Sequence, residues 1–222
     1  MQSANIELKK IDEFITLKGK RVLEIGCGDG RLTAFLAGKG ARVVAIDPDE
    51  NRIEAAKATV KEVDFRIGSG EALEFPLESF DLVFFSFSLH HQNGNAALAE
   101  AKRVLRPEGE ILIIEPTVAS EYTQLVAVFQ KEEPALLEKA QQSIKTLDGA
   151  VSRRETFVVP HSFETEEEFL THYITSYGEG TASEKDRQNL RRIIGQKIVN
   201  PPIYVEDECT IILISGKGAK AA

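Results

Sequence analysis

Between residues 21 and 114, short apolar segments alternate with helical ones, and this rhythm constrains the fold more than any other feature. The apolar segments are rich in Val, Ile and Phe, and several lack a polar face, which is typical of parallel strands covered on both sides. Strands that alternate with helices form right-handed βαβ units, so we predict an α/β fold with a doubly wound, mostly parallel sheet. The predicted strands are Arg21–Ile25, Arg42–Ile46, Asp64–Ile67, Asp81–Phe85 and Glu110–Ile114, and the predicted helices between them cover residues 30–38, 49–59 and 94–105.

The segments on either side of this alternation complete the prediction. Apolar residues at helical spacing predict an amphipathic helix over residues 4–17, and the regular rhythm stops after Pro116. Two further strands, Thr156–Pro160 and Cys209–Ser215, bring the sheet to seven strands. The remaining predicted helices cover residues 118–147, broken near Pro134, and residues 165–176 and 183–199.

We therefore expect a single domain over residues 1–222, made of three parts. Residues 18–116 form the ligand-binding core, residues 117–205 form a mainly helical insertion, and residues 206–216 form the last strand. A long insertion of this kind is usually functional and often covers the ligand, so residues 117–205 are predicted to be a lid.

Three local patterns predict where elements begin and end. Gly38 or Gly40 can supply a left-handed residue at the end of the helix before the second strand. "RPEGE" at residues 106–110 predicts a type I turn before the fifth strand. Thr165 and Glu168 predict a capping box at the start of a helix.

Charge and composition limit the class of partner. The chain has 222 residues with 27 Lys and Arg against 35 Asp and Glu, a net charge of −8, which argues against nucleic acid because phosphate binding needs a basic surface. No apolar run is long enough to span a membrane, and residues 1–10 are too polar for a signal peptide. Two cysteines, Cys27 and Cys209, have no zinc-type spacing and predict a reducing compartment and no metal site. We expect a cytoplasmic protein, and the short tail 216–222 has low complexity.

The stretch "EIGCGDG" after the first predicted strand points to a ligand. Gly26, Gly28 and Gly30 let the backbone bend and approach a ligand closely, although one glycine would suffice for a tight turn. A dinucleotide fingerprint would need its third glycine at position 31, which is Arg31. The carboxylate of Glu24, or of Asp29, repels a pyrophosphate and pairs with an ammonium group. The loop therefore favours a ligand with a positive end.

Asp47, at the end of the second predicted strand, has two interpretations. It lies 19 positions beyond Gly28, as suits a carboxylate that accepts the hydroxyls of a ribose. It also precedes a proline, with Glu50 three residues on, which is typical of a helix N-cap. Ribose binding is the favoured interpretation, and both roles can coexist.

Four stretches, in order and at the usual spacing, resemble the class I S-adenosylmethionine-dependent methyltransferases: "VLEIGCGDGRLT", "VVAIDPD", "GSGEALEFPLESFDLVFFSFSLHH" and "VLRPEGEILIIEP". The resemblance spans roughly residues 21–116 and is closest in style to the ubiquinone/menaquinone C-methyltransferases and related small-molecule enzymes. It implies a Rossmann-like methyltransferase fold and an S-adenosyl-L-methionine cofactor.

The resemblance also implies a role for individual residues. Glu24, Gly26, Cys27 and Gly28 would face the methionine portion, and Asp47 the ribose hydroxyls. Ser69 and Gly70 would flank the adenine, and Ser86 would contact the cofactor from the end of the fourth strand.

Three details qualify these roles. The family usually has Asp or Asn where Ser69 stands, and serine reaches less far and carries no charge. The usual Gly-Gly of the fifth-strand turn is Glu108-Gly109 here. Cys27, at a helix N-terminus, can be either a reactive thiol or a small residue in a crowded loop, and the second interpretation is favoured.

The acceptor is expected to be a small molecule bound by the N-terminal helix and the insertion. Methyl transfer needs a base only when the acceptor must lose a proton, and we assign no catalytic residue, although His90 or His91 is a candidate base. Two alternatives stay open: a methyltransferase for protein or RNA, and a catalytically silent cofactor-binding regulatory module. The candidate lining residues, each of which can equally be core packing, are Tyr122, Phe129, His161, Phe163, His172, Tyr173 and Tyr177.

Overall fold

The computed structural model describes residues 2–147 and 151–215, and these form a seven-stranded sheet flanked by helices. The predicted tail at 216–222 lies outside the described residues. The order across the sheet is β3-β2-β1-β4-β5-β7-β6, and the pairs β1–β2, β2–β3, β1–β4 and β4–β5 are parallel. This confirms the predicted doubly wound, mostly parallel sheet. The strands are β1 Arg21–Ile25, β2 Arg42–Asp47, β3 Asp64–Ile67, β4 Phe80–Ser86, β5 Leu105–Pro116, β6 Val151–Phe163 and β7 Ile203–Ser215.

Helices connect the strands, as the sequence rhythm predicts. The helices are α1 Gln2–Phe14, α2 Arg31–Gly38, α3 Glu50–Thr59, α4 Gly94–Val104, α5 Glu121–Val126, α6 Glu133–Lys145, α7 Glu166–Tyr177 and α8 Glu184–Ile194. Short 3₁₀ segments lie at Leu89–His91 and Gly195–Val199. None of the described helices is both long and apolar enough to cross a membrane.

The contacts divide the chain into two compact units. The first, here called the core unit, comprises the described parts of Leu8–Glu115, Lys139–Glu155 and Thr210–Ala222. The second unit comprises the described parts of Met1–Glu7, Pro116–Glu138 and Thr156–Cys209, so strands β6 and β7 contribute residues to both units. The functional division into a ligand-binding core and a lid stays a prediction.

The hydrophobic core of the core unit is built on strands β1 and β4. Four of the five residues of β1, and all but Asp81 in β4, are buried. Phe80, Phe84 and Phe85 are fully buried, and each phenyl ring removed from water contributes on the order of 2 kcal/mol. Strands that are apolar on both faces fit only the centre of a covered sheet, which fixes the strand ends that form the site described below.

The strand that follows the predicted "RPEGE" turn starts earlier than expected. Leu105 already pairs with Phe80, and the next registered pair is Leu82 with Glu110, so residues 106–109 loop out of the ladder. The predicted turn is thus a bulge inside β5. Glycine suits position 109 because a Cβ there would lie 3.0 Å from the backbone oxygen and 3.3 Å from the backbone nitrogen of Arg106.

The last two strands are longer than their apolar segments predicted. In β6 only Phe157, Val159 and Phe163 are buried and more than half of the residues are exposed, so a search for apolar runs finds only Thr156–Pro160. Pro160 is tolerated because β6 is an edge strand of the sheet. In β7 the first residues alternate buried and exposed from Ile203, ahead of the continuous buried run that the sequence showed.

Several predicted helix boundaries also shift. The first helix ends at Phe14 rather than at residue 17. Residues 118–147 form two helices, and Pro134 lies in the first turn of α6, where its missing N–H costs nothing. Helix α8 ends at Ile194, because Gly195 has φ +58° and the chain continues as a 3₁₀ segment.

Side-chain caps settle two of the open local patterns. Asp49, not Asp47, is the N-cap of α3, and its carboxylate accepts from the N–H groups of Asn51 and Arg52. In α7 Thr165 accepts from the Glu168 N–H as predicted, but the Glu168 carboxylate accepts from Glu164 N–H instead of closing the box. At the end of α2, Gly40 supplies the left-handed residue, with φ +83°.

Candidate functional site

A cleft of about 360 Å³ lies at the carboxyl ends of strands β1 to β4. The strand order reverses between β1 and β4, and in open α/β sheets ligands bind beyond the carboxyl ends at that reversal. The lining residues are Ile25, Gly26, Asp47, Pro48, Asp49, Arg52, Gly68, Ser69, Gly70, Glu71, Phe87, Ser88, His91 and Gln92.

Four of the eight residues expected to bind the cofactor line this cleft: Gly26, Asp47, Ser69 and Gly70. The other four, Glu24, Cys27, Gly28 and Ser86, lie on the same strand ends but outside the lining. Glu24, Cys27 and Ser86 are buried, and Gly28 is half-buried. The structure therefore brings the predicted set together and separates it into a lining group and a supporting group.

Asp47 organises the floor of the cleft through its carboxylate. Its Oδ2 accepts from the Gly28 N–H at 2.9 Å, and its Oδ1 accepts from the Asp49 N–H at 3.0 Å. The side chain is 5% exposed, so a carboxylate is held at the end of β2 by two backbone donors. These bonds tie the glycine loop after β1 to the start of the turn after β2.

Gly26 and Gly70 let side chains of the opposite wall come close to the backbone. At Gly26 a Cβ would lie 2.4 Å from the Ser88 Cβ, and φ is +79°. At Gly70 a Cβ would lie 2.4 Å from the Gln92 Oε1 and 2.8 Å from the Ile25 Cγ2. Glycine is required at Gly26 because the Ser88 Cβ is fixed to the backbone, and it is favoured at Gly70 because the Ile25 methyl group belongs to a central strand and cannot move away easily.

Glu24 and Cys27 support the loop from behind. The Glu24 carboxylate is 2% exposed and accepts from the Thr33 hydroxyl at 2.6 Å, which links β1 to the first turn of α2. Burial raises the pKa of the Cys27 thiol, and the carboxylates of Glu24 and Asp47 raise this pKa further. A thiol that stays protonated is a poor nucleophile, so the geometry favours the interpretation of Cys27 as a small residue in a crowded loop.

Past Ser86 the chain turns sharply along the edge of the cleft. Phe87 has φ +52°, a left-handed conformation that costs a non-glycine residue about 1 kcal/mol or more. Ser88 then donates its hydroxyl to the Ile25 carbonyl at 2.6 Å and so joins the ends of β1 and β4. Local strain of this kind tends to collect at ligand sites.

The two candidate histidines have different surroundings. His90 is buried, and its Nδ1 is in contact with the Glu115 carboxylate at the end of β5. Glu115 Oε1 also accepts from the Leu89 N–H at 2.8 Å, so this carboxylate fixes the segment that carries both histidines. His91 is exposed and lines the cleft, with its ring centroid 3.9 Å from that of His90.

The charge of the cleft favours a cation over a phosphate. Its lining carries three carboxylates, Asp47, Asp49 and Glu71, against the guanidinium of Arg52. The Arg52 side chain is 64% exposed and lies 3.9 Å from Asp49, which leaves it mostly in solvent. A concave site lined by excess negative charge attracts positively charged ligands.

Comparison with known proteins identifies this part of the chain. Residues 23–113 match the family model described as a methyltransferase domain. The matched residues run from β1 into β5, so they contain every strand end that contributes to the cleft. Residues 23–113 are a methyltransferase domain.

Relatives agree with this assignment. The demethylmenaquinone methyltransferase of Renibacterium salmoninarum is 31% identical over 134 residues, which are 59% of this chain and 56% of the relative. A ubiquinone biosynthesis O-methyltransferase of Dechloromonas aromatica is 37% identical over 110 residues, 46% of this chain and 47% of the relative. The chain thus spans about half the length of these two relatives.

The fold of the whole chain also has methyltransferase neighbours. A crystal structure of a putative methyltransferase from Bacillus halodurans superposes with a TM-score of 0.69 at 18% identity, covering 96% of this chain and 99% of that one. At this identity the likeness establishes the fold alone, and it confirms the predicted Rossmann-like methyltransferase fold.

Some residues that line the methyltransferase cleft were not predicted from the sequence. They are Arg52 and Glu71 and the segment after β4, Phe87, Ser88 and Gln92. Only their position in the chain could have indicated a role, since Phe87 to Gln92 directly follow the end of a predicted strand. Their types, apart from the strained Phe87, are common on any surface loop.

Outside the methyltransferase domain, the seven candidate acceptor residues come together in the second unit. Phe163 and Tyr173 are buried in its hydrophobic cluster, with Tyr122, Phe129 and Tyr177 packed against it. The rings of His161 and His172 belong to the same group. The His161 centroid lies 4.5 Å from the Tyr122 centroid, and the His172 centroid lies 5.2 Å from the Phe163 centroid.

Polar atoms inside this aromatic cluster are arranged unevenly. The Tyr122 hydroxyl lies 2.9 Å from both His172 Nε2 and the Tyr177 hydroxyl. By contrast, His161 Nε2 and the Tyr173 hydroxyl are buried without a hydrogen-bond partner among the described residues. Burial raises the pKa of Tyr122 and Tyr173, so both keep their hydroxyl protons at neutral pH.

A buried carboxyl group adjoins the cluster, and its pKa leads to a prediction about how stability depends on pH. Burial raises the pKa of Asp207 to about 6, even though the Ser120 hydroxyl donates to it. The folded state therefore binds more protons than the unfolded state between about pH 4 and 6. The contribution of this carboxyl to stability is complete below pH 4 and is lost as the pH rises through 6.

We expect Asp207→Asn to become more stable relative to the wild type as the pH rises from 4 to 7, by about 2–3 kcal/mol. Urea unfolding of both proteins at each pH measures this difference. The comparison is needed because burial lowers the pKa of His161 to about 4, which changes wild-type stability in the opposite direction over the same range. Glu206→Gln, on the exposed face of the same strand, is the control, and equal pH trends for both variants would contradict the prediction.

Proposed function

We propose that the protein is an S-adenosyl-L-methionine-dependent methyltransferase that acts on a small-molecule acceptor. One observation carries the proposal: the methyltransferase domain at residues 23–113 has its cleft at the strand ends, with the buried carboxylate of Asp47 at its floor. The relatives named above are about twice as long as the matched part, so activity is assigned here as a proposal.

The residues present suit this cofactor. The cleft carries an excess of carboxylates, which favours a ligand with a sulfonium and an ammonium group over one with a pyrophosphate. Gly26 and Gly70 make the walls a cradle that a Cβ would fill, so a nucleoside can lie against the backbone. Asp47 is a fixed, buried acceptor, as recognition of a ribose requires.

We assign the individual roles accordingly. Glu24, Gly26, Cys27 and Gly28 hold the methionine portion, with Glu24 acting partly through the loop that it ties to Thr33. Asp47 accepts from the ribose hydroxyls.

Two further assignments concern the adenine end and strand β4. Ser69 and Gly70 flank the adenine. Ser86, which is buried at the end of β4, contacts the cofactor from that strand end.

The bound cofactor supplies a methyl group on a sulfonium sulfur, which an acceptor nucleophile takes by in-line displacement. The protein therefore has to orient the reactants and exclude water rather than activate the donor. The Ser88 bond to Ile25 and the Glu115 contact with His90 keep the rim of the cleft rigid. No base is assigned.

We propose a small acceptor with a planar ring. One relative's name gives demethylmenaquinone as its acceptor, and another's places it in ubiquinone biosynthesis. The second unit contains a cluster of aromatic rings, and two buried polar atoms in it, the Tyr173 hydroxyl and His161 Nε2, have no hydrogen-bond partner among the described residues. His161 Nε2 also lies 4.0 Å from Asp207 Oδ2. We expect this cluster to take part in acceptor recognition, and neither nucleic acid nor a membrane span is part of the proposal.

Calorimetry tests the proposed function. We expect S-adenosylmethionine and S-adenosylhomocysteine to bind with micromolar or tighter dissociation constants and NAD to show no binding. Transfer of a radiolabelled methyl group is then measured on a panel of phenols, hydroquinones and amines. Binding of NAD instead would contradict the proposal, and tight cofactor binding without transfer to any acceptor would favour a silent regulatory module.

A further inference from the structure

The side-chain amide of Gln92 leaves one strong acceptor without a partner. Its Nε2 donates to the Ser88 carbonyl at 2.9 Å, whereas its Oε1 is buried and has no hydrogen-bond partner among the described residues. The donated bond fixes which end of the amide is which, because the flipped amide would place two oxygens together. A buried acceptor without a donor costs about 1–3 kcal/mol, so a donor at this position would be bound favourably.

Gln92 lines the end of the cleft formed by Ser69 and Gly70. The Gln92 Oε1 lies 2.4 Å from the place where a Cβ of residue 70 would stand, so a Cβ there would displace it. The oxygen therefore rests against the backbone of the segment that we assign to the adenine.

The other side chains with an acceptor oxygen at this end each already accept a backbone N–H group, unlike the Gln92 Oε1. Glu71 Oε1 accepts from the Asn93 N–H at 2.7 Å, and the Asp49 carboxylate caps α3. Both Asp47 oxygens accept backbone N–H groups. Ser69 Oγ accepts from the Glu71 N–H at 3.3 Å, and its side chain is too short to reach as far as Asp or Asn would.

We propose that Gln92 Oε1 accepts a hydrogen bond from the exocyclic 6-amino group of the adenine and so replaces the acceptor that Ser69 cannot provide. This rests on the proposed function. The oxygen is covered by Gly70, so the amide turns about its terminal torsion when the base enters, a torsion that is soft in glutamine. A 6-oxo purine would present an oxygen to this oxygen and would be rejected.

Calorimetry with two nucleosides tests the proposal: S-adenosylhomocysteine and S-inosylhomocysteine, which carries a 6-oxo group. We expect the wild type to prefer the 6-amino compound at least about tenfold, since one discriminating hydrogen bond is worth about 1.4 kcal/mol or more. Gln92→Met, which has a similar shape without the acceptor, should bind S-adenosylhomocysteine about tenfold more weakly and prefer it by less than about threefold.

A second variant tests whether Gln92 takes the place of a longer acceptor at position 69. In the Gln92→Met background, Ser69→Asp supplies a longer acceptor from the facing segment and should restore the preference for the 6-amino compound. If Gln92→Met does not fold, two other measurements replace it. They are the preference of Gln92→Leu and the affinity of the wild type for the analogue with no group at the purine 6-position.

The outcomes separate this inference from the proposed function. If the wild type binds neither nucleoside, the proposed function fails. If the wild type binds S-adenosylhomocysteine but Gln92→Met keeps the full preference, the inference is overturned and the proposed function stands. If Gln92→Met weakens both nucleosides equally, Gln92 has only a structural role and the inference is likewise overturned.

Discussion

Asp47→Asn is expected to weaken binding of S-adenosylhomocysteine at least about 100-fold, or about 2.7 kcal/mol. The wild-type carboxylate accepts from the Gly28 and Asp49 N–H groups and has lone pairs left for two ribose hydroxyls. An asparagine has one acceptor oxygen, and its NH₂ group would face one of these two backbone donors. The substitution therefore removes a charged acceptor for the ribose, worth about 1.5–3 kcal/mol, and loosens the glycine loop as well.

Titration calorimetry gives the affinities, and urea unfolding shows whether the variant is folded when they are measured. Glu50→Gln is the matched control, since it removes an exposed carboxylate three residues along the chain that does not line the cleft. We expect the control to change affinity less than about twofold. Equal losses in both variants would mean that overall charge, and not the Asp47 carboxylate, determines binding.

The sequence predicted the part of the fold that depends on local patterns. Strands β1 and β4 sit at the centre of the sheet and are buried on both faces, so their apolar runs are complete signals. The predicted β1, Arg21–Ile25, matches the structure residue for residue. The glycine loop after β1 was predicted in the same way, because its conformation depends on the residue types at successive positions.

The sequence failed where pairing between distant segments decides the structure. The bulge at residues 106–109 depends on the register of β5 with β4, which no local pattern reports. Strand β6 was shortened because most of its side chains are exposed. The role of Asp47 as a helix cap or a ribose ligand is ambiguous in sequence, because both Asp47 and Asp49 precede α3. In the structure Asp49 is the cap.

The candidate site shows the same limit. Ser88 and Gln92 are ordinary polar residues in sequence, and their importance comes from approaching Gly26 and Gly70, segments more than twenty positions away. A glycine that is required by close approach and a glycine that merely tolerates a turn look alike in sequence. Only the positions of the facing side chains separate the two.

Gly26→Ala is expected to lower the free energy of unfolding by about 3 kcal/mol and to abolish measurable binding of S-adenosylhomocysteine. Two costs add up. An alanine at φ +79° costs about 1–2 kcal/mol, and its Cβ would lie 2.4 Å from Ser88 Cβ and 3.0 Å from Ser88 Oγ, an overpacking that costs a further 1–3 kcal/mol. Relief of the clash would push Ser88 away from the Ile25 carbonyl that its hydroxyl binds, and so would distort the cleft wall.

Gly19→Ala separates these two costs, because Gly19 has nearly the same φ, +77°, and nothing within 4 Å of its added Cβ. We expect this control to lose only the conformational 1–2 kcal/mol and to bind as the wild type does. Urea unfolding and calorimetry on both variants measure the difference. The double variant Gly26→Ala/Ser88→Gly should recover the excess loss, because it removes the side chain that the new Cβ meets. Equal destabilisation by Gly19→Ala and Gly26→Ala would show that the loop needs glycine for its backbone conformation and not for the close approach of β4 to β1.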